Sequence, residues 1–357
     1  MGIENNNIWI IDTTLRDGEQ SPGVCFSADE KVLIAKMLAG AGVNELETGI
    51  PAMGAGVREE LAAINRLDLS CRTTGWCRAV KSDIESARRC GFKSVHISFP
   101  VSERQLNAFG KDRDWVLSSI KEILPEACGM FPFVSVGAQD ATRCDEGFMD
   151  LFIEKVQYYG AYRVRVADTV GVSTPFDIYN FIRRIRSATD MEIEFHGHND
   201  LGMAAANALA AVEAGASSIS VTVNGLGERS GNVPLEQAAV ALNLSGKYHH
   251  SIDLSHLMNV CSYIADVSGI SIPPDKPITG SNAFLHESGI HCAGLLEDPL
   301  SYQPFLPETV GRKGFGFVLG RHSGAHSIQH MLGMAGINIS REQSSRLKEV
   351  LSHMTHR

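Results

Sequence analysis

Over its first two thirds the chain alternates short β-branched or apolar runs with longer amphipathic stretches, and the alternation repeats eight times. The runs predict strands over 8–12, 45–48, 72–77, 94–98, 131–136, 163–167, 192–196 and 218–223. Helical patterns fill the intervals. In the first of them, 27–40, Ser27 is placed to cap the N-terminus and Glu30, three residues on, to complete a capping box. Glycines at Gly42, Gly91, Gly160 and Gly215 stand where such helices must stop before the next strand. Eight strands alternating with helices predict a closed parallel (β/α)8 TIM barrel.

Beyond residue 250 the pattern changes. A helical stretch over 254–268 runs into SIPPDKPITGSNAF, whose prolines and glycines read as a linker. The cluster HESGIHCAG follows, and a polar helix over 341–354 ends the pattern. The expected division is a barrel over 1–250, a linker over 251–280 and a small, mainly helical C-terminal region over 281–357. The length of 357 residues suits this, since a barrel alone takes roughly 250.

Composition narrows the function classes. There are 41 acidic residues against 32 Lys and Arg, with no basic tract, which argues against a nucleic-acid partner. Eight cysteines are scattered without a C-x-x-C pair and the first residues are polar, so a reduced, cytoplasmic setting is expected. No apolar run approaches the ~20 residues that span a bilayer.

The chemistry gathers at the predicted C-terminal strand ends, where barrel enzymes keep their active sites. IDTTLRDGEQSPG follows the first strand and HGHND the seventh. Asp17 offers a hard carboxylate oxygen, while His196 and His198, two apart on an extended segment, present imidazoles to one side. Together they predict a divalent-metal site, with Asn232 of GERSGNV able to complete it. Such a site holds a 2-oxo acid by its two oxygens and polarises the ketone. Arg16 carries a rigid fork for a carboxylate or a developing enolate oxygen, and Gln20 and Thr169 supply neutral donors at the mouth. Arg78, after the third strand, is expected to meet a distal carboxylate. Glu194 either orients a metal ligand or pairs with a buried basic group. For each residue a plain structural role competes, as turn, cap or salt bridge.

Six ordered motifs, IDTTLRDGEQSPGVCFS, LETGIPAMG, ADTVG, FHGHNDLGMAAAN, NGLGERSGNVPLE and ESGIH, resemble those of the DRE-TIM metallolyases over nearly the whole chain. The chain is most similar to their Claisen-condensing branch, the isopropylmalate and homocitrate synthases, and within it to the homocitrate synthases of nitrogen-fixing bacteria. The resemblance implies a metal (Mg, Mn or Zn) on Asp17, His196 and His198 with Asn232 at its edge, and oxo-acid contacts from Arg16, Gln20 and Thr169. It implies an acyltransferase that condenses acetyl-CoA with 2-oxoglutarate. The same chemistry on the acceptors of isopropylmalate or citramalate synthases is the alternative. A hydroxymethylglutaryl-CoA-type lyase fits less well, because of the ESGIH segment. It further implies a homodimer whose C-terminal region covers the partner's barrel mouth and delivers His291 as acid or base with Tyr302 assisting.

Two positions depart from the family pattern. Gln139 stands where an acidic residue is usual before Asp140, and Gly137 where the isopropylmalate synthases tend to have serine. Gln139 removes one proton acceptor from the site and leaves Glu228 as the acidic group expected to support it. It also keeps open a metal-binding barrel without activity. No regulatory domain of the leucine-pathway type is expected after the region of His291.

Overall fold

A computed structural model describes residues 6–353. Eight strands close a parallel barrel in sequence order: β1 (Trp9–Asp12), β2 (Glu45–Gly49), β3 (Arg72–Arg78), β4 (Ser94–Pro100), β5 (Phe133–Gln139), β6 (Arg163–Asp168), β7 (Glu192–Gly197) and β8 (Ser218–Val221). The ring shuts where β1 pairs with β8, Trp9 opposite Ser218 and Asp12 opposite Val221. Each predicted strand is present, several extended by one to three residues at the C-terminal end where the site lies. The fifth starts at Phe133, because Phe131 instead finishes the preceding helix Arg113–Met130 by donating its N–H to the Ala127 carbonyl.

Local chemistry explains the helix ends. Ser27 and Glu30 exchange the two bonds of a capping box at the start of Ala28–Gly40. Gly42 sits at φ 93°, a left-handed conformation, and a Cβ there would run into the Ser251 backbone. Only glycine turns the chain there.

Strand side chains alternate with period two, and here the alternation is inverted relative to an oily barrel interior. Leu46, Val95, Ile97, Val134, Val136, Val164, Val166, Ile193 and Phe195 are buried apolar positions of the strands. The intervening positions carry Glu45, Glu47, Thr74, Ser94, His96, Ser135, Arg163, Arg165 and Glu194, also buried. The charges pair as a column. Arg163 reaches Glu45 at 3.1 Å and Glu194 at 3.4 Å; Arg165 reaches Glu194 at 2.6 Å and Glu47 at 2.7 Å; Arg16 reaches Glu47 at 2.5 Å. Glu194 is thus a partner for buried arginines, the second of its two expected roles.

The described residues form two compact units. The barrel unit reaches Asp253 and also takes in Val260–Ile270, so the helix Leu257–Ser268 lies mostly within it. The other unit holds Leu254–Asn259 and everything from Ser271. It is mainly helical, with helices Gly289–Glu297, Ala325–Met334 and Arg341–Ser352 and one short parallel pair, Leu285–His286 with Gly316–Phe317. The last predicted helix begins as expected behind the Ser340 cap. Its predicted end at Met354 lies outside the described residues. Among the described residues, no helix is long and apolar enough to cross a membrane.

Candidate metal centre and active site

The loop after β1 is built by its own threonines. Asp12 accepts the Thr14 N–H at 2.8 Å, the Thr14 hydroxyl accepts the Val223 N–H at 2.9 Å, and the Thr13 carbonyl takes the N–H groups of Arg16, Asp17 and Gly18. This tight turn delivers Arg16 and Asp17 together into the mouth. Ser21 then ties the loop to the one after β8, donating to the Gly227 carbonyl at 2.8 Å and accepting the Gly227 N–H at 2.7 Å.

Asp17, His196 and His198 converge, each buried, with one ligand atom apiece all within 4.8 Å of one another. His196 Nε2 lies 3.2 Å from Asp17 Oδ2, and the two imidazoles meet edge to face with centroids 5.2 Å apart. Asn232 joins them by an isolated bridge to His198. Its side chain has a defined sense: Nδ2 donates to the Leu226 carbonyl at 2.9 Å, which leaves Oδ1 as the free acceptor. Gly227 permits this closeness, since a Cβ there would lie 3.0 Å from Asn232 Cγ and 3.4 Å from Asp17 Oδ1.

Four buried atoms in this cluster have no hydrogen-bond partner: Asp17 Oδ1, His196 Nδ1, His198 Nδ1 and Asn232 Oδ1. A buried polar group without a partner costs about 1–3 kcal/mol, so four such atoms on the residues of one cluster mark a place built for a bound species. Two nitrogens and two oxygens suit a divalent cation of hard to intermediate character. The protonation states agree. Burial works against the Asp17 charge, but Arg16 and then the two histidines hold its carboxyl well below the usual range. Burial, with His196 adding to it, pushes the His198 imidazole down to about 4, so its lone pair is free at neutral pH.

Beside the cluster opens a cavity of about 250 Å³. Arg16, Asp17, Gln20, Gln139, Thr169, His196, His198 and Glu228 line it, which unites eight of the residues singled out in the sequence. Arg16 lies over the Trp76 ring at 5.8 Å, with Nη1 on Asp17 at 2.8 Å. The Thr169 hydroxyl accepts the Asp140 N–H at 2.8 Å and so keeps its own proton to give. That is a different bond from the helix cap that competed for this residue, a role taken by Thr174.

Arg78 is not brought there. Its side chain is 64 % exposed and forms a two-pronged bond with Asp83, 2.9 and 3.0 Å, at the start of the next helix. Trp76 of β3 faces the cavity, whereas Arg78, the last residue of the strand, is drawn off to Asp83 and does not line it. His291 and Tyr302 lie together in the second unit, rings stacked at 4.2 Å and 21°.

Sequence reasoning missed Trp76, His96, Ser98, Arg165 and Arg229, all of which line the cavity. His96 is fully buried and hydrogen-bonds Ser135 Oγ through Nδ1 at 3.0 Å; burial first, and then Arg165, hold its pKa well below the ordinary value. Gly137 makes room for that ring, for a Cβ would strike it and stand 3.2 Å from Ser98 Oγ. Arg229 clamps Asp200 and the Thr169 carbonyl, joining three loops at the rim. The signal for Arg165 was present in the alternation RVRV against ELE and EIE, where charges at every second strand position can only pair inside the ring.

The HMGL-like family model matches residues 7–264, which is the barrel and most of the helix that follows. The chain belongs to the HMGL-like family. A second model, the homocitrate synthase post-HMGL domain-like family, matches residues 278–357. This HMGL-like chain is 43 % identical to homocitrate synthase 1 of Nostoc sp. over 347 residues, 97 % of this chain and 92 % of that one. It is also 43 % identical to 2-isopropylmalate synthase 2 of Caldanaerobacter subterraneus over 341 residues, 95 % of this chain and 88 % of that one. In three dimensions it is similar to the hydroxymethylglutaryl-CoA lyase of Pseudomonas aeruginosa, TM-score 0.68 at 23 % identity, covering 78 % of this chain and 96 % of that one. The last likeness speaks for the fold alone.

Proposed function

We propose that the chain is an acyltransferase that condenses acetyl-CoA with 2-oxoglutarate and, after thioester hydrolysis, releases homocitrate and CoA. One observation carries this reading: Asp17, His196 and His198, each buried, bring one ligand atom apiece within 4.8 Å of one another, with the free Oδ1 of Asn232 nearby, beside a small cavity furnished with Arg16, Gln20 and Thr169. Held by those four, a divalent ion (Mg, Mn or Zn) would supply Lewis-acid polarisation of the ketone. The chain's own groups do the rest. Thr169 and Gln20 donate to the adjacent carboxylate and fix its plane, while Arg16, pinned by Glu47 and Asp17, presents its remaining N–H groups where the ketone oxygen gathers negative charge. Glu228 offers a supporting carboxylate at the rim. His291, with Tyr302 stacked on it, is the group we assign to proton transfer at the acetyl methyl, acting at the barrel mouth of the partner in a homodimer. The setting we propose is the cytoplasm, with homocitrate serving nitrogenase cofactor assembly or lysine synthesis, both of which need the same product; gene neighbourhood decides between them. The relatives at 43 % identity support the class of reaction.

A second reading, the acceptor of an isopropylmalate or citramalate synthase, draws on Trp76, Ala138 and Ala167 in the cavity wall and on the absence of Arg78 from it. Thiol release from acetyl-CoA with a panel of 2-oxo acids tests both. Release that requires a divalent ion and a 2-oxo acid, and that is lost in Asp17→Asn, is the expected result. No release with any acid would overturn the condensation reading.

A further inference from the structure

With Arg78 turned away, the cavity must find another partner for a distal carboxylate. Three arginines line it. Arg229 is spent at the exposed rim on Asp200 and the Thr169 carbonyl. Arg16 is bound to Asp17 and stands beside the ligand cluster, where the reacting end of an acid belongs. Arg165 differs from both. It rises from β6, four residues before Thr169, so its Cα lies about 13 Å deeper along the strand direction than the donor for the proximal end. Its Nε is held by Glu194 at 2.6 Å and its Nη2 by Glu47 at 2.7 Å, which locks the guanidinium in place and leaves Nη1 with no acceptor in the protein.

Beyond the two carboxylates that clamp Arg165, the neighbouring cavity residues His96, Ser98 and Gln139 add no negative charge. Burial works against the Arg165 charge, but Glu194 and Glu47 more than offset it and raise its pKa above the ordinary value. His96 is uncharged, Ser98 brings a hydroxyl, and position 139 carries the amide of Gln139 in place of a carboxylate that would repel an anion. A cation clamped on two sides, with one nitrogen left open in the cavity lining, can donate to a carboxylate oxygen.

We propose that Arg165 is the specificity-determining residue of this site and takes the distal carboxylate of a dicarboxylic 2-oxo acid. The proposal rests on the condensation reading and adds the identity of the group that selects the acceptor. Its test compares 2-oxoglutarate with 2-oxobutyrate in wild type, Arg165→Lys and Arg165→Gln, by thiol release and, without acetyl-CoA, by calorimetric binding of each acid to Mg²⁺-loaded protein. The preference for 2-oxoglutarate should fall about 100-fold in Arg165→Gln and less in Arg165→Lys, in KM and in affinity rather than in kcat. Because Arg165→Gln takes one cation from Glu47 and Glu194, which keep Arg16 and Arg163, the double variant Arg165→Gln, Glu194→Gln provides a charge-balanced counterpart, with its urea midpoint read alongside. An unchanged preference, or a wild type that favours 2-oxobutyrate, would overturn the proposal. Calorimetry separates the two failures: if no acid supports thiol release while the wild type still binds 2-oxoglutarate in preference and the variants lose it, the condensation reading falls and Arg165 stands.

Discussion

Two populations of buried polar groups share the inside of this barrel, and they differ in how they are matched. Deep in the ring, Glu45, Glu47 and Glu194 each meet at least one arginine, Arg165 meets two carboxylates and Arg163 three. At the mouth, Asp17, His196, His198 and Asn232 each keep one buried atom with nothing to bond. Burying a charge costs several kcal/mol unless geometry and hydrogen bonds return it. The deep set is therefore matched in charge as folded, with the Arg165 Nη1 left open toward the cavity. The upper set is complete only with something bound, and the contrast distinguishes scaffold from site without reference to any relative.

The largest effect should come from breaking the matched set. Arg163→Met leaves Glu45 and Glu194 buried with a partner removed, and should cost about 3–5 kcal/mol in urea unfolding. Pairing it with Glu45→Leu should restore part of that loss. The unmatched set should behave differently: His198→Ala removes a ligand but no side-chain hydrogen bond, so without metal its midpoint should fall by less than that of Arg163→Met. What should disappear is the stabilisation of about 2.7 kcal/mol that a divalent ion at a hundred times its Kd gives wild type in a thermal melt.

A third test uses pH. Burial pushes the Asp12 carboxyl up to about 7, offset in part by the Thr14 hydrogen bonds and reinforced by Glu236. With a folded value above the unfolded 3.8, the fold binds this proton more tightly than the open chain does. Its contribution to stability is full below pH 3.8 and is lost as pH rises through about 7. Asp12→Asn should therefore gain on wild type between pH 4 and 7 and level off above, read as the difference in urea midpoints. A flat difference would remove the assignment. Smallest of all, Arg78→Ala should shift stability by about 0.2–1 kcal/mol, as an exposed pair does, and leave the preference among 2-oxo acids untouched.

The fold was legible because strand spacing, the Ser27 and Glu30 box and the helix-ending glycines are local signals, each readable within a dozen residues. The ligand set was legible for a related reason. Asp17 sits in a turn and His196 and His198 at a strand end, places fixed by the strands themselves. The rest depended on partners distant in sequence. Arg78 was assigned to the cavity from its strand end alone, but Asp83, five residues on at the start of the next helix, claims it. Arg165 went unseen because the alternation RVRV says only that its charge must pair inside the ring, and not that the residue also lines the cavity once Glu47 and Glu194 hold it.

The seam between β1 and β8 gives the ligand cluster one more property. Asp17 comes from the first turn after the opening strand, whereas both imidazoles are synthesised long after it, near the end of the ring. No fragment lacking either end can assemble the cluster. An ion captured there would act as a clasp across a loop of most of the barrel's length, binding the finished cylinder and ignoring an open one, so that chelation would loosen the circle at its join before anywhere else.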